Sequence, residues 1–170
     1  MNAEFARLGA ATVYEASGRQ GLVDAEFRQL VPRSRACGPA RIARCGQDDN
    51  LMVHAVMAAL QPGEVLVLVM PEPRPVALLG DLLLTQAVTR GAAAVLVDAA
   101  VRDAEELAVM AVPVWARWIR SRGATKDIVG VEHDEVLQAS LAREAKEAHK
   151  RAQLQAGALS WHLDGLDARV

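Results

Sequence analysis

Two short apolar runs constrain the fold of this chain more than anything else in it. Val65-Leu66-Val67-Leu68-Val69-Met70 and Ala93-Ala94-Val95-Leu96-Val97 do not alternate with polar residues. Each is too short for an ordinary helix and reads as a strand, and the first, from Glu64 to Met70, reads as covered on both faces because its apolar residues do not alternate. Between them, the spacing predicts a helix from about Asp81 to Arg90, stopped by Gly91. Strand, helix, strand is the unit of an α/β fold with a parallel sheet.

The alternation continues on both sides. A strand at 93–98, a helix at 104–110 and a strand at 113–118 follow in order. Upstream, Asn50 suits the N-cap of a helix from Leu51 to Leu60, which Pro62-Gly63 ends. An extended segment runs from about Ala36 to Cys45, and one or two short helices occupy residues 2–18, closed by Gly18. Pro71, Pro73 and Pro75 make a stiff loop. After Gly130 the character changes. Residues from Asp134 to Gln155 read as one charged helix, with Leu137, Leu141 and Ala145 on a single stripe that needs a surface to cover it. The expected organisation is a domain over residues 1–130, with residues 131–170 packed on it or on a neighbouring subunit.

Composition narrows the function classes. With 52% hydrophobic and 24% charged residues, the chain can build a core, and wholesale disorder is not expected. Aromatic residues are only 4%, so that core should be aliphatic. A net charge of −2 gives no electrostatic case for a nucleic-acid partner. No run approaches a membrane span, and the start of the chain lacks a secretory apolar stretch, so a cytoplasmic location is expected. Cys37 and Cys45 form neither a disulfide framework nor a zinc pair. There is no Gly-x-Ser-x-Gly elbow, P-loop or dinucleotide fingerprint.

Chemistry concentrates at two helix starts. Asp81 opens the helix after Gly80, and Arg102-Asp103 opens the next helix about twenty residues on. Two carboxylates suit a hard divalent cation, and a guanidinium with free helix N–H groups suits a small anion. A plainer reading stands beside this one. Asp103-Ala104-Glu105-Glu106 before Leu107 is close to a capping box, Asp81 can simply begin a helix, and Arg102 can be a solvated charge. Asn50 has the same two readings, helix cap or pocket residue. His54, on an apolar helix, reads as a core histidine, and Lys126, with Arg117, Arg120 and Arg122, as part of an anion-facing loop or a solvated edge.

The stretch Gly80-Asp81-Leu82-Leu83, then Arg90-Gly91-Ala92-Ala93-Ala94-Val95-Leu96-Val97-Asp98, then Val101-Arg102-Asp103 resembles the signature of the RraA-like superfamily, in its class II pyruvate aldolase branch. Ala11-Thr12-Val13-Tyr14-Glu15-Ala16, Asp49-Asn50-Leu51-Met52-Val53-His54, Pro113-Val114-Trp115-Ala116-Arg117 and Gly123-Ala124-Thr125-Lys126 resemble further family segments in the same order.

The resemblance implies a layered α-β-β-α domain with a long C-terminal helix. It implies aldol cleavage of a 4-hydroxy-2-oxo acid, of the 4-carboxy-4-hydroxy-2-oxoadipate type found in aromatic catabolism, with oxaloacetate decarboxylation as a second activity. Asp103 would hold a divalent cation, Mg²⁺ or Mn²⁺. Arg102 and Asp81 would be catalytic, and Gly80, Asp81, Leu82, Leu83, Arg102 and Asn50 would bind the substrate. Relatives of this kind form homotrimers or hexamers. The alternative within the family is a non-catalytic regulator that binds a protein partner. The chain departs from the family where Gly130 passes directly to Val131, because a block of strands expected there is missing and the sheet should be shortened. Tyr14 stands where aldolase relatives often show histidine, and Ala99-Ala100 replace a glycine-bearing loop ahead of Arg102.

Overall fold

A computed structural model describes residues 5–110 and 112–127 of the chain. Its elements in order are α1 (Ala10–Ala16), β1 (Arg28–Gln29), β2 (Ala40–Arg44), α2 (Leu51–Ala59), β3 (Val65–Val69), β4 (Ala77–Leu79), α3 (Asp81–Thr89), β5 (Ala94–Val101), α4 (Ala104–Val109) and β6 (Val114–Ile119). The alternation expected from the sequence is present. The charged helix expected over 134–155, its Leu137-Leu141-Ala145 stripe and the junction at Gly130 all lie outside the described residues.

The sheet runs β1-β6-β5-β3-β2, with β4 paired to β5. All pairings are parallel except that of β1 with β6. β5 is the long central strand. Its first half pairs with β3, Val65 opposite Ala94 through Leu68 opposite Val97. Its second half pairs with β4, Ala77 opposite Ala100 and Leu79 opposite Val101. The proline loop therefore leaves the sheet after β3 and re-enters it farther along the same side of β5. Three residues, Ala77-Leu78-Leu79, are too few to show a period, so β4 is not legible as a strand in the sequence. Ala99 and Ala100 lie inside β5, at a register shift against β6 between Val97 and Ala100, and not in a loop as the resemblance suggested.

One face of the sheet carries the core. Leu66 and Leu68 of β3, Val95 and Val97 of β5, and Val114 and Ala116 of β6 are buried. They join Val53 and Met57 of α2, Leu83, Leu84 and Ala87 of α3, and Leu107 of α4 in one hydrophobic cluster. The opposite face corrects the expectation that the strand over 64–70 is covered on both sides. In β3, burial alternates, with Val65, Val67 and Val69 only half-buried. Ile42 of β2 is exposed, and Leu96 and Trp115 are half-buried. At the sheet edge, Arg41 of β2 grips Glu64 ahead of β3 with two hydrogen bonds, of 3.0 and 2.7 Å. That hydrogen bond holds the Glu64 carboxyl below its ordinary range, helped by the Gln61 N–H.

Candidate functional site

The parallel strands β4 and β5 end side by side, and the candidate residues leave from those ends. Arg102 N–H donates to Leu79 O at 3.0 Å, which locks the two strand ends together. Gly80 and Asp81 turn into α3, while Arg102 and Asp103 turn into α4. Loops at the carboxyl ends of parallel strands are where open α/β sheets place their ligands.

Asp103 does not cap its own helix. It sits in the cap position of α4 with a left-handed backbone, φ 54° and ψ 44°, and makes no side-chain cap bond. Instead its Oδ2 accepts a hydrogen bond of 3.2 Å from the Asp81 N–H, the first residue of α3. The Arg102 Nε lies 3.4 Å from the same oxygen. The capping-box reading of Asp103 thus fails. A left-handed non-glycine backbone costs energy and turns the side chain across to the neighbouring helix. Asp81 begins α3 behind a Gly80 cap, so it is no cap either.

Gly80 makes this closeness possible. A Cβ there would come 2.5 Å from Asp103 Oδ2 and 2.9 Å from Arg102 Nε. Gly80 has extended backbone that any residue adopts, φ −139° and ψ −170°, so the need is purely for space. Gly123 plays the same part on the other side, where an added Cβ would lie 3.3 Å from the Arg102 guanidinium.

The Asn50 reading also changes. Asn50 occupies the cap position of α2 without capping it. The preceding residue does that work, since the Leu51 N–H donates to Asp49 Oδ1 at 2.8 Å. The Asn50 side chain points elsewhere. Its Nδ2 donates to Leu78 O at 3.3 Å, and its buried Oδ1 has no hydrogen-bond partner among the described residues. Asp49 is a residue the sequence reading missed. Its Oδ2 accepts from Thr125 Oγ1 and from the Asp127 N–H, so a buried carboxylate ties the 123–127 loop to the start of α2. Burial, and then the nearby Asp49 charge, push the Cys45 thiol up to about 12, which keeps it protonated and unreactive.

These elements enclose a small cleft of about 40 Å³. It is lined by Gly80, Leu82 and Leu83, by Arg102, by Asn50 and His54 of the α2 region, and by Gly123 and Lys126. Neither Asp81 nor Asp103 is among its lining residues; Asp103 is in contact with Arg102, which is. His54, read as a core histidine, is buried and also borders the cleft. The N–H groups of Leu82 and Leu83 belong to the first turn of α3, where no carbonyl stands a turn behind to accept them. Two cationic side chains, two such N–H groups and a buried amide oxygen make the cleft suited to a small anion with polar substituents.

The RraA-like family, Aldolase/RraA, matches residues 10–141. The chain belongs to this family. A relative from Halalkalibacterium halodurans named "Putative 4-hydroxy-4-methyl-2-oxoglutarate aldolase" is 30% identical over 104 residues, covering 61% of the present chain. The chain spans about half of that relative, 50% of its length. Among solved structures, the RNA-processing inhibitor RraA from Thermus thermophilus superposes with a TM-score of 0.64 at 26% identity, over 70% of this chain and 72% of that one. Streptomyces coelicolor RraAS2, described as an unusual member of the RNase ES inhibitor RraA family, gives 0.65 at 26% identity, over 74% and 67%. The fold is therefore the α/β fold of these proteins. No helix among the described residues is long and apolar enough to cross a membrane.

Proposed function

We propose that this member of the RraA-like family is a divalent-metal-dependent pyruvate aldolase. It would cleave a 4-hydroxy-2-oxo acid of the 4-carboxy-4-hydroxy-2-oxoadipate type, decarboxylate oxaloacetate at the same site, and work in the cytoplasm as a homotrimer or hexamer. The supporting observation is Asp103, which leaves its own helix uncapped to lie against Asp81 N–H and Arg102 Nε beneath Gly80.

The donor set fits Mg²⁺ or Mn²⁺ of the water-rich kind. No group of three or more acidic, histidine or cysteine residues that could hold a metal occurs among the described residues. Mg²⁺ is commonly held by one or two carboxylates, with water and substrate completing the shell. Asp103 Oδ1 has no protein hydrogen bond to compete for it among the described residues. Asp103 would hold the ion directly and Asp81 through water. The bound ion would supply Lewis-acid stabilisation of negative charge on the keto oxygen.

The remaining steps fall to this chain's own groups. The Leu82 and Leu83 N–H groups, at the positive end of α3, bind the carboxylate of the 2-oxo acid. Arg102 donates to the keto oxygen and stabilises the charge that grows there. Asp81, which stands outside the cleft lining, takes the proton of the C4 hydroxyl through a water. As that proton leaves, C4 becomes a carbonyl, the C3–C4 bond breaks, and its electron pair forms the pyruvate enolate. Protonation at C3 gives pyruvate. Loss of CO₂ from oxaloacetate yields the same enolate, which is why one site can serve both reactions. Asn50 and Lys126 bind the distal part of the substrate, with no lysine Schiff base.

The purified protein should release pyruvate from oxaloacetate or a 4-hydroxy-2-oxo acid when Mg²⁺ or Mn²⁺ is present, and chelator should abolish release. The names of the Thermus and Streptomyces structures support a second reading, a regulator that binds an RNA-degrading enzyme. Absence of turnover with every 2-oxo acid tried would favour it.

A further inference from the structure

One buried carboxylate serves both the helix and the loop that border the cleft. Asp49 is 2% exposed, yet the chemistry above gives it no part. Its Oδ1 accepts from the Leu51 N–H at 2.8 Å and so fixes the start of α2, the region that brings Asn50 and His54 to the cleft. Its Oδ2 accepts from the Thr125 hydroxyl at 3.3 Å and from the Asp127 N–H. Lys126 stands between those two donors and lines the cleft. The backbone around it is tied down as well. The Thr125 N–H donates to Asp48 O at 2.9 Å, the Asn50 N–H donates to Thr125 O at 3.0 Å, and Asp49 and Thr125 pair as a parallel bridge. Two residues earlier, Gly123 bridges to Ala77 of β4.

We propose that Asp49 is a positioning residue: through Thr125 and Asp127 it holds Lys126 in the cleft, and so makes the site select 2-oxo acids that carry a second carboxylate. The inference rests on the lyase reading given above. Side chains along an extended segment alternate in direction. Thr125 turns its hydroxyl to Asp49, so the next side chain, Lys126, is sent the other way, where the cleft lies. A lysine is a point charge on a long flexible stem, and a backbone held on both sides of it is what gives that charge a fixed place. Thr125 and Asp127 are the two holds, and both end on one carboxylate oxygen. Without that oxygen the Asp127 N–H loses its acceptor, and the segment moves to bring the N–H to water or to another partner.

The test compares wild type, Asp49→Asn, Lys126→Met and the double variant in the full chain. Pyruvate release is measured with two 4-hydroxy-2-oxo acids, one with a second carboxylate and one without. Asp49→Asn should raise KM for the dicarboxylate about tenfold, and leave kcat for both substrates and KM for the monocarboxylate within about twofold. In the double variant the dicarboxylate KM should equal that of Lys126→Met alone, because two changes that act through one contact do not add. A merely structural role would raise both KM values or add to the Lys126→Met effect, and either result overturns the proposal. A second readout needs no turnover. The Asp127 amide should exchange with solvent about tenfold faster in Asp49→Asn than in wild type, while amides of β5 keep their protection. Unchanged exchange at Asp127 would overturn the proposal. Thr125→Val leaves the Leu51 N–H its acceptor, so it serves if Asp49→Asn does not fold; it should raise the dicarboxylate KM about threefold. Wild-type protein that turns over no 2-oxo acid would sink the lyase reading and the selectivity claim with it. Wild-type turnover with a selectivity that Asp49→Asn leaves unmoved would sink this inference alone.

Discussion

Replacing Gly80 with alanine would put a methyl carbon 2.5 Å from Asp103 Oδ2. A carbon and a carbonyl-type oxygen settle at about 3.3 Å or more, so the carboxylate must retreat by roughly 0.8 Å. Arg102 Nε, 2.9 Å from the same methyl, must move as well. A misplacement near 1 Å costs about a hundredfold in rate, or about 2.7 kcal/mol of transition-state stabilisation. Stability should change far less. Asp103 and Arg102 keep 35% and 48% of their side-chain surface exposed, so both have room to yield. The Gly80 backbone angles suit alanine, and the lower entropy of the unfolded chain offsets part of any strain. The expected result is a fall in kcat/KM for pyruvate release of about two orders of magnitude, with unfolding free energy within about 1 kcal/mol of wild type. A coupled pyruvate assay and a urea titration measure the two quantities. Wild-type kcat/KM in a folded Gly80→Ala protein would refute the assigned closeness of Asp103 and Arg102, and a collapse of stability would show that Gly80 serves the fold.

Asp103→Asn keeps an oxygen for the Asp81 N–H, so it should leave the melting temperature nearly unchanged while activity collapses; Arg102→Lys should also fail, because an ammonium lacks the planar guanidinium fork. Lys126→Met should raise KM for dicarboxylic substrates about tenfold or more with kcat little changed, as the proposed distal-end role of this cleft residue requires; an equal fall in kcat would give Lys126 a chemical role. At pH 8 iodoacetamide should label Cys37 and spare Cys45, as peptide mass mapping would show. Burial favours the neutral Cys45 thiol, raising it from 9.0 to about 12, so its contribution to stability is intact below pH 9 and is lost as pH climbs toward 12.

The legible parts of this chain are those with local signals. Val65–Val69 and Ala94–Val101 announce strands by their apolar runs, and Gly91, at φ 77°, marks the end of α3 as a glycine past a helix should. What stayed hidden depends on contacts distant in sequence. Ala77–Leu79 becomes a strand because the far half of β5 lies beside it. Asp103 and Asn50 look like helix caps in sequence, because capping is the local use of those residue types. In the fold, Asp103 turns to Asp81 and Asn50 to Leu78 O, while Asp49 does the capping beside it. Gly80 and Gly123 carry no conformational signal, and their role emerges only with Arg102 between them. The uncovered side of β3 is the reverse case, where the sequence states a requirement that the described residues meet on one face alone.

The most direct test of the proposed metal-dependent aldolase activity is one titration. Metal-free protein is supplied with Mn²⁺ in steps, bound ion is read by electron paramagnetic resonance, and pyruvate release from oxaloacetate is measured in the same samples. Turnover should be absent at the start and rise in proportion to bound Mn²⁺, and Asp103→Asn should neither bind the ion tightly nor turn over. Undiminished turnover in the metal-free protein, or Mn²⁺ bound equally well by Asp103→Asn, would contradict the account.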